Sequence, residues 1–153
     1  MPYLIDGHNL IPKIQGFSLR ELDDETRLIG LLQVFCRMER QKVEVFFDGA
    51  PAGHTGQRKA GTVVVHAVPA GLKADDAIAD RLRKLGTAAQ NWRVVTSDRQ
   101  VQAEVRSHRA TVVPSDTFAG QLLAAQQKAS QAARESGETP PDDMEEWLRI
   151  FGG

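Results

Sequence analysis

Short apolar runs alternate along this chain with longer stretches whose apolar residues recur every three or four positions. Pro2 to Ile5 is one such run, bounded by Asp6-Gly7, and it reads as a buried strand. A polar stretch from His8 to about Asp24 follows. Leu28, Ile29, Leu32, Phe35 and Cys36 then fall at helical spacing and predict an amphipathic helix, with Asp23 or Asp24 placed to cap its start. Lys42 to Phe47 is a second strand, ending at Asp48-Gly49. Ala50 to Gly61 carries Pro51, Gly53, Gly56 and Gly61 and reads as a mobile loop. The β-branched run Thr62 to Val65 predicts a third strand.

Lys73 to Leu85 reads as a helix with Ile78, Leu82 and Leu85 on one face. Trp92 to Thr96 is a strand, Asp98 to Ser107 a short helix and Ala110 to Val113 a last strand. Ser115 is placed to cap a long helix with Phe118, Leu122 and Leu123 on its apolar face. Strands alternating with helices predict an α/β fold around a parallel sheet with right-handed crossovers. Residues 1–135 read as one domain. Residues 136–153 read as a linker around Pro140-Pro141 and a short amphipathic segment with Trp147, Leu148, Ile150 and Phe151.

The strands bring acids together. Tyr3-Leu4-Ile5 stops at Asp6, Val45-Phe46-Phe47 at Asp48, and Val94-Val95-Thr96-Ser97 at Asp98. In a parallel sheet these carboxylates share the carboxyl edge, where open α/β sheets place ligands. Asp75 and Asp76 open the helix after Lys73-Ala74. An aspartate at a strand end or in a first helical turn has a plain structural reading. The set together points to a hard divalent cation, because clustered carboxylates repel one another until neutralised. Three or four such carboxylates around Mg²⁺ or Mn²⁺ suit hydrolysis of phosphodiesters.

Asn9 returns an amide toward the end of the first strand, to bind a phosphate, orient a carboxylate or close a local turn. His8 reads as a surface or stacking residue, since nothing in the sequence pairs it with a partner. Ser97 and Arg99, beside Asp98, and Arg58 and Lys59, in the glycine-rich loop, are the expected phosphate contacts. The hydroxyls of Thr96 and Ser97 are placed to hold Asp98, and Ser97 or Asp98 to cap the next helix.

Composition narrows the picture by exclusion. The 153 residues are 41% hydrophobic and 25% charged, ordinary for a globular domain. No run is long enough to cross a bilayer, and Met1 to Asp6 lacks the pattern of a signal peptide. Cys36 is the only cysteine, which excludes an internal disulfide and makes a reducing cytoplasm the expected compartment. A net charge of −1 does not announce nucleic-acid binding, although basic residues cluster locally. There is no Gly-rich nucleotide loop, no zinc-type His/Cys spacing and no nucleophile elbow. The oligomeric state is left open.

Four segments carry a resemblance. Asp6-Gly7-His8-Asn9-Leu10-Ile11, Val45-Phe46-Phe47-Asp48-Gly49, Ala74-Asp75-Asp76-Ala77-Ile78 and Val95-Thr96-Ser97-Asp98-Arg99 resemble, in order and spacing, the NYN domains of the YacP type, within the PIN-like nuclease superfamily. The likeness covers roughly residues 2 to 125. It implies a three-layer α/β/α sandwich with a mainly parallel sheet and metal-dependent endoribonuclease activity. The type includes a ribosome-associated endonuclease that cuts mRNA, so RNA and the ribosome are the implied partners. Carried over by motif, Asp6, Asp75 and Asp98 are metal acids, Asn9 a site residue and Asp48 a fourth contributor, with Asp76 able to exchange roles with Asp75. His8 departs from the family, which often has Tyr there; this bears on substrate stacking and leaves the metal acids intact. Two other readings stand beside this one. The first is a non-catalytic module that binds RNA or the ribosome. The second is a phosphatase, which lacks its D-x-D pair here.

Overall fold

The computed structural model describes residues 1–14 and 23–136. The first apolar run forms β1 (Tyr3–Asp6), and the chain turns at once into a short helix, α1 (Gly7–Leu10), and a 3₁₀ turn at Ile11–Lys13. The stretch read as polar from His8 therefore begins with structured turns. Leu10, Ile11 and Ile14 are buried and supply the apolar anchor. Helix α2 (Asp24–Glu39) follows, then β2 (Val43–Ala50), β3 (Gly56–Ala60) and β4 (Val63–Pro69). The remaining elements are α3 (Ala74–Leu85), a 3₁₀ segment (Gly86–Asn91), β5 (Arg93–Val95), α4 (Arg99–Ser107), β6 (Thr111–Val113) and α5 (Ser115–Glu135).

The six strands lie in the order β3-β4-β2-β1-β5-β6. All neighbours pair parallel except β3, which runs antiparallel to β4. Alternate side chains of each strand face opposite layers. Tyr3, Ile5, Val43, Val45, Phe47, Val63 and Val65 pack with α2 and α5. Leu4, Phe46, Val94 and Val68 pack with α3 and α4. The expected three-layer α/β/α architecture with a mainly parallel sheet is the one observed. Chain direction across the sheet reverses at β1, whose neighbours β2 and β5 lie on opposite sides, so the switch-point crevice opens at the carboxyl end of β1.

Several local expectations are corrected. The segment read as a loop from Ala50 to Gly61 contains β3, joined to β4 by a turn at Gly61 (φ +64°). Its residues Gly56 to Lys59 are exposed, so no apolar alternation marks it; a solvated edge strand needs none. Strand β2 runs past Asp48 to Ala50, with a register irregularity between Phe47 and Ala50. Asp23 stands at the N-cap of α2 without a side-chain cap bond, and buried Asp24 pairs with Arg27 instead. Pro114, not Ser115, stands at the N-cap of α5. The expected linker and amphipathic segment of 136–153 lie, but for Ser136, outside the described residues.

Candidate active site

Asp6 closes β1 and caps α1, its Oδ1 accepting the Asn9 N–H at 3.3 Å. Gly7 makes this turn possible by its size rather than its φ, because a Cβ there would fall on the Phe47 ring. Burial pushes the Asp6 carboxyl from 3.8 up to about 6, against the Asn9 hydrogen bond. The Asp48 and Asp75 charges push the same way, and His8 opposes them. Asp6 thus sits half-buried in a field made by two further acids.

Asp48, on β2, is tied at both oxygens. Oδ1 lies 2.7 Å from His8 Nδ1, and Oδ2 accepts the Ala74 N–H at 3.3 Å, which fixes the start of α3. His8 also meets Glu25 Oε2 through Nε2 at 2.6 Å. Glu25 raises the imidazole most, against burial, and Asp48 adds to it, so His8 is held up to about 9 as a cation between two carboxylates. His8, for which the sequence shows no partner, is thus bonded at both ring nitrogens, and its ring centroid lies 5.4 Å from that of Phe47. Its partners come from β2 and from the first turn of α2, distant in sequence, and no local signal marks them.

The acidic pair at the start of α3 divides. Asp75 is half-buried, acts on Asp6 and accepts the Asp76 N–H at 3.0 Å. Asp76 is exposed and lines a groove between α3 and β4. Asp75 is thus the member that faces the crevice.

On the other side of β1, Asn9 is a tie between elements. Its Oδ1 accepts the Ser97 N–H at 3.0 Å and the Ser115 hydroxyl at 2.6 Å. Ser97 Oγ in turn accepts the Ser115 N–H at 2.9 Å. Among the roles open to Asn9, the structure shows tertiary bonding that joins the ends of β1, β5 and α5. Ser97 is half-buried and engaged in that tie. Ser115, read as a cap, is a residue of the site that sequence reasoning missed; Glu25 is another.

Asp98 caps α4, with Oδ1 accepting the N–H groups of Gln100 (2.9 Å) and Val101 (3.3 Å). Its own N–H donates to Thr96 Oγ1 at 3.2 Å. Its second carboxylate oxygen makes no hydrogen bond among the described residues. Asp98 and Arg99 are both exposed. Arg58 and Lys59 are exposed on β3, opposite Val65 and Val64 respectively, so they point to opposite faces of the sheet rather than together from a loop.

Among the described residues no three His, Cys, Asp or Glu side chains enclose a ready-made ion cage. The donor set nonetheless fits a hard cation. It is all oxygen at Asp6 and Asp75, a Mg²⁺-like ion keeps several waters, and the burdened Asp6 carboxyl is the group a cation would relieve.

A mainly parallel α/β/α sandwich with acids at its switch point defines the class. The profile of the YacP-like NYN domain matches residues 3–149, so this chain belongs to that family. Two solved structures are similar to it. Rae1 (YacP) from Bacillus subtilis, as a W164L mutant, aligns at 20% identity with a TM-score of 0.75 over 98% of this chain and 92% of that one. A second structure of Rae1 (YacP) from Bacillus subtilis aligns at 19% identity with a TM-score of 0.74 over 88% of this chain and 80% of that one. No curated protein matches the sequence. Family membership supports a nuclease-type, RNA-related function.

Proposed function

We propose that this chain is a metal-dependent endoribonuclease that hydrolyses RNA phosphodiester bonds, with mRNA on the ribosome in the cytoplasm as its setting. The observation that carries the proposal is Asp6, half-buried at the switch point and acted on by Asp48 and Asp75. The ribosome and mRNA rest on the family resemblance alone.

Asp6 and Asp75 would hold Mg²⁺ or Mn²⁺, with Asp98 offering its uncapped oxygen and Asp48 lining the approach. A bound ion of this kind supplies charge neutralisation at the phosphate and lowers the pKa of water. The chain's own residues do the positioning. Asn9 and Ser115 fix the β1, β5 and α5 ends, and the His8 bridge holds Asp48 and Glu25 at a set distance. Arg99, exposed beside Asp98, is placed to meet a phosphate. Asp48 is already engaged and Asp98 caps a helix, which is what a non-catalytic RNA-binding module would also display.

Incubation of a labelled single-stranded RNA with the chain in Mn²⁺, in Mg²⁺ and in EDTA tests the reading. Internal cuts in metal that stop in EDTA are expected. RNA bound but uncut, free and on translating ribosomes alike, would replace the nuclease with the binding module.

A further inference from the structure

On the α3 face of the sheet, α3 packs over β1 and β2, and residues of α3, β4 and β3 line a common space beside it. That space is a groove of about 880 Å³. Its floor is built with care for polar groups. His66 stacks parallel on buried Phe46, ring centroids 4.3 Å apart at 6°. The imidazole lines the groove together with Gln57, its register partner on β3. Such a flat face accepts any base, because every base has a π-surface.

Beside it lies a carboxylate, Glu44, whose side chain is only 12% exposed. It accepts from His66 Nε2 at 2.8 Å and from Arg81 through Nε (3.0 Å) and Nη2 (2.9 Å). The guanidinium also lies 5.3 Å from the centre of the Trp92 ring. One edge of Arg81 is thereby fixed, while Nη1 has no hydrogen bond among the described residues. A fork held in this way donates to a phosphate with little left to order.

The start of α3 links the groove to the carboxylate crevice. Lys73 and Asp76 line the groove, and Ala74, between them, donates to Asp48. Leu72 stands 58% exposed at its mouth.

We propose that this groove seats a nucleotide of the single-stranded RNA that enters the Asp6 crevice, with its base against His66 and its phosphate at Arg81 and Lys73. The proposal rests on the ribonuclease reading. Arg58, on the opposite face of β3, takes no part; Lys59 shares the groove face of that strand.

Cross-linking tests the seat directly. The full chain carrying Asp6→Asn, which keeps RNA whole, is irradiated with a single-stranded RNA containing 4-thiouridine, and the attached peptides are identified by mass spectrometry. Attachment to peptides spanning 56–66 or 72–81 is expected; attachment confined to other surfaces overturns the seat. Binding measured by fluorescence anisotropy provides the second readout. His66→Ala weakens RNA binding about tenfold, the loss expected for one stacked base. Gln57→Glu, an exposed change, lowers binding several-fold at an unchanged melting temperature. Unchanged binding in both variants overturns the proposal. Cleavage by the parent separates the two readings. Cutting without groove cross-links removes the seat alone, whereas groove cross-links without cutting remove the chemistry and leave an RNA-binding groove.

Discussion

The Asn9 amide oxygen accepts the Ser115 hydroxyl at 2.6 Å, a contact that joins the turn after β1 to the start of α5. The same oxygen accepts the Ser97 N–H, so one side chain holds three element ends around the Asp6 crevice. Asn9→Ala leaves a backbone N–H and a hydroxyl without their partner in a half-buried site. A loss of about 1–3 kcal/mol is expected in urea unfolding. Ser115→Ala added to Asn9→Ala costs less than it does in the parent, because the shared bond is already gone. Additive losses would show that the two residues act separately.

Asp98 serves two ends with two oxygens. Asp98→Asn keeps an acceptor for the Gln100 and Val101 N–H groups and removes the charge. Its stability is expected within about 0.5 kcal/mol of the parent, since Asn caps as well as Asp. Metal-dependent cleavage is expected to fall at least tenfold. Cleavage at the parent rate would restrict Asp98 to capping.

The Gly7 position admits no side chain, because a Cβ there would fall on the Phe47 ring. Gly7→Ala is expected to destabilise the fold by about 1–3 kcal/mol through overpacking. Thermal unfolding measures it. A melting temperature equal to the parent's would mean that Phe47 moves aside freely.

The Glu44 cluster gives a pH dependence with a definite sign. Burial pushes this carboxyl up, but the His66 and Arg81 hydrogen bonds and charges outweigh it and hold it at about 2, below its ordinary 4.5. A carboxyl lowered by folding adds stability that is fully present above pH 4.5 and is lost as pH falls toward 2. The loss is on the order of 2–3 kcal/mol. Urea unfolding between those limits is expected to show a steeper acid decline for the parent than for Glu44→Gln. Parallel curves would contradict the assignment.

Much of this was legible in the chain. The runs that end at Asp6, Asp48 and Asp98 disclose parallel strands because a strand buried on both faces must be apolar throughout. Helices α2 and α3 show in the spacing of Leu28, Leu32, Ile78 and Leu82, and the four motif segments disclose the family. Strand β3 was hidden because an exposed edge carries no burial pattern, and Arg58 and Lys59 were therefore placed together when they face apart. The His8 bridge was hidden because Glu25 and Asp48 reach it across 17 and 40 residues, a proximity that only the folded sheet creates. Ser115 was read as a cap because helix starts favour serine, yet its hydroxyl serves Asn9 instead. The division between Asp75 and Asp76 depends on which way the first turn of α3 faces, and adjacent identical residues cannot announce that.

The most direct test of the central claim is cleavage of a labelled single-stranded RNA in Mn²⁺ or Mg²⁺ by the parent and by Asp6→Asn, with RNA binding and melting temperature measured on the same preparations. Asp6→Asn is expected to abolish metal-dependent cutting while it binds RNA and remains folded. A folded Asp6→Asn protein that cuts RNA as fast as the parent would contradict the placement of the chemistry at the carboxyl end of β1.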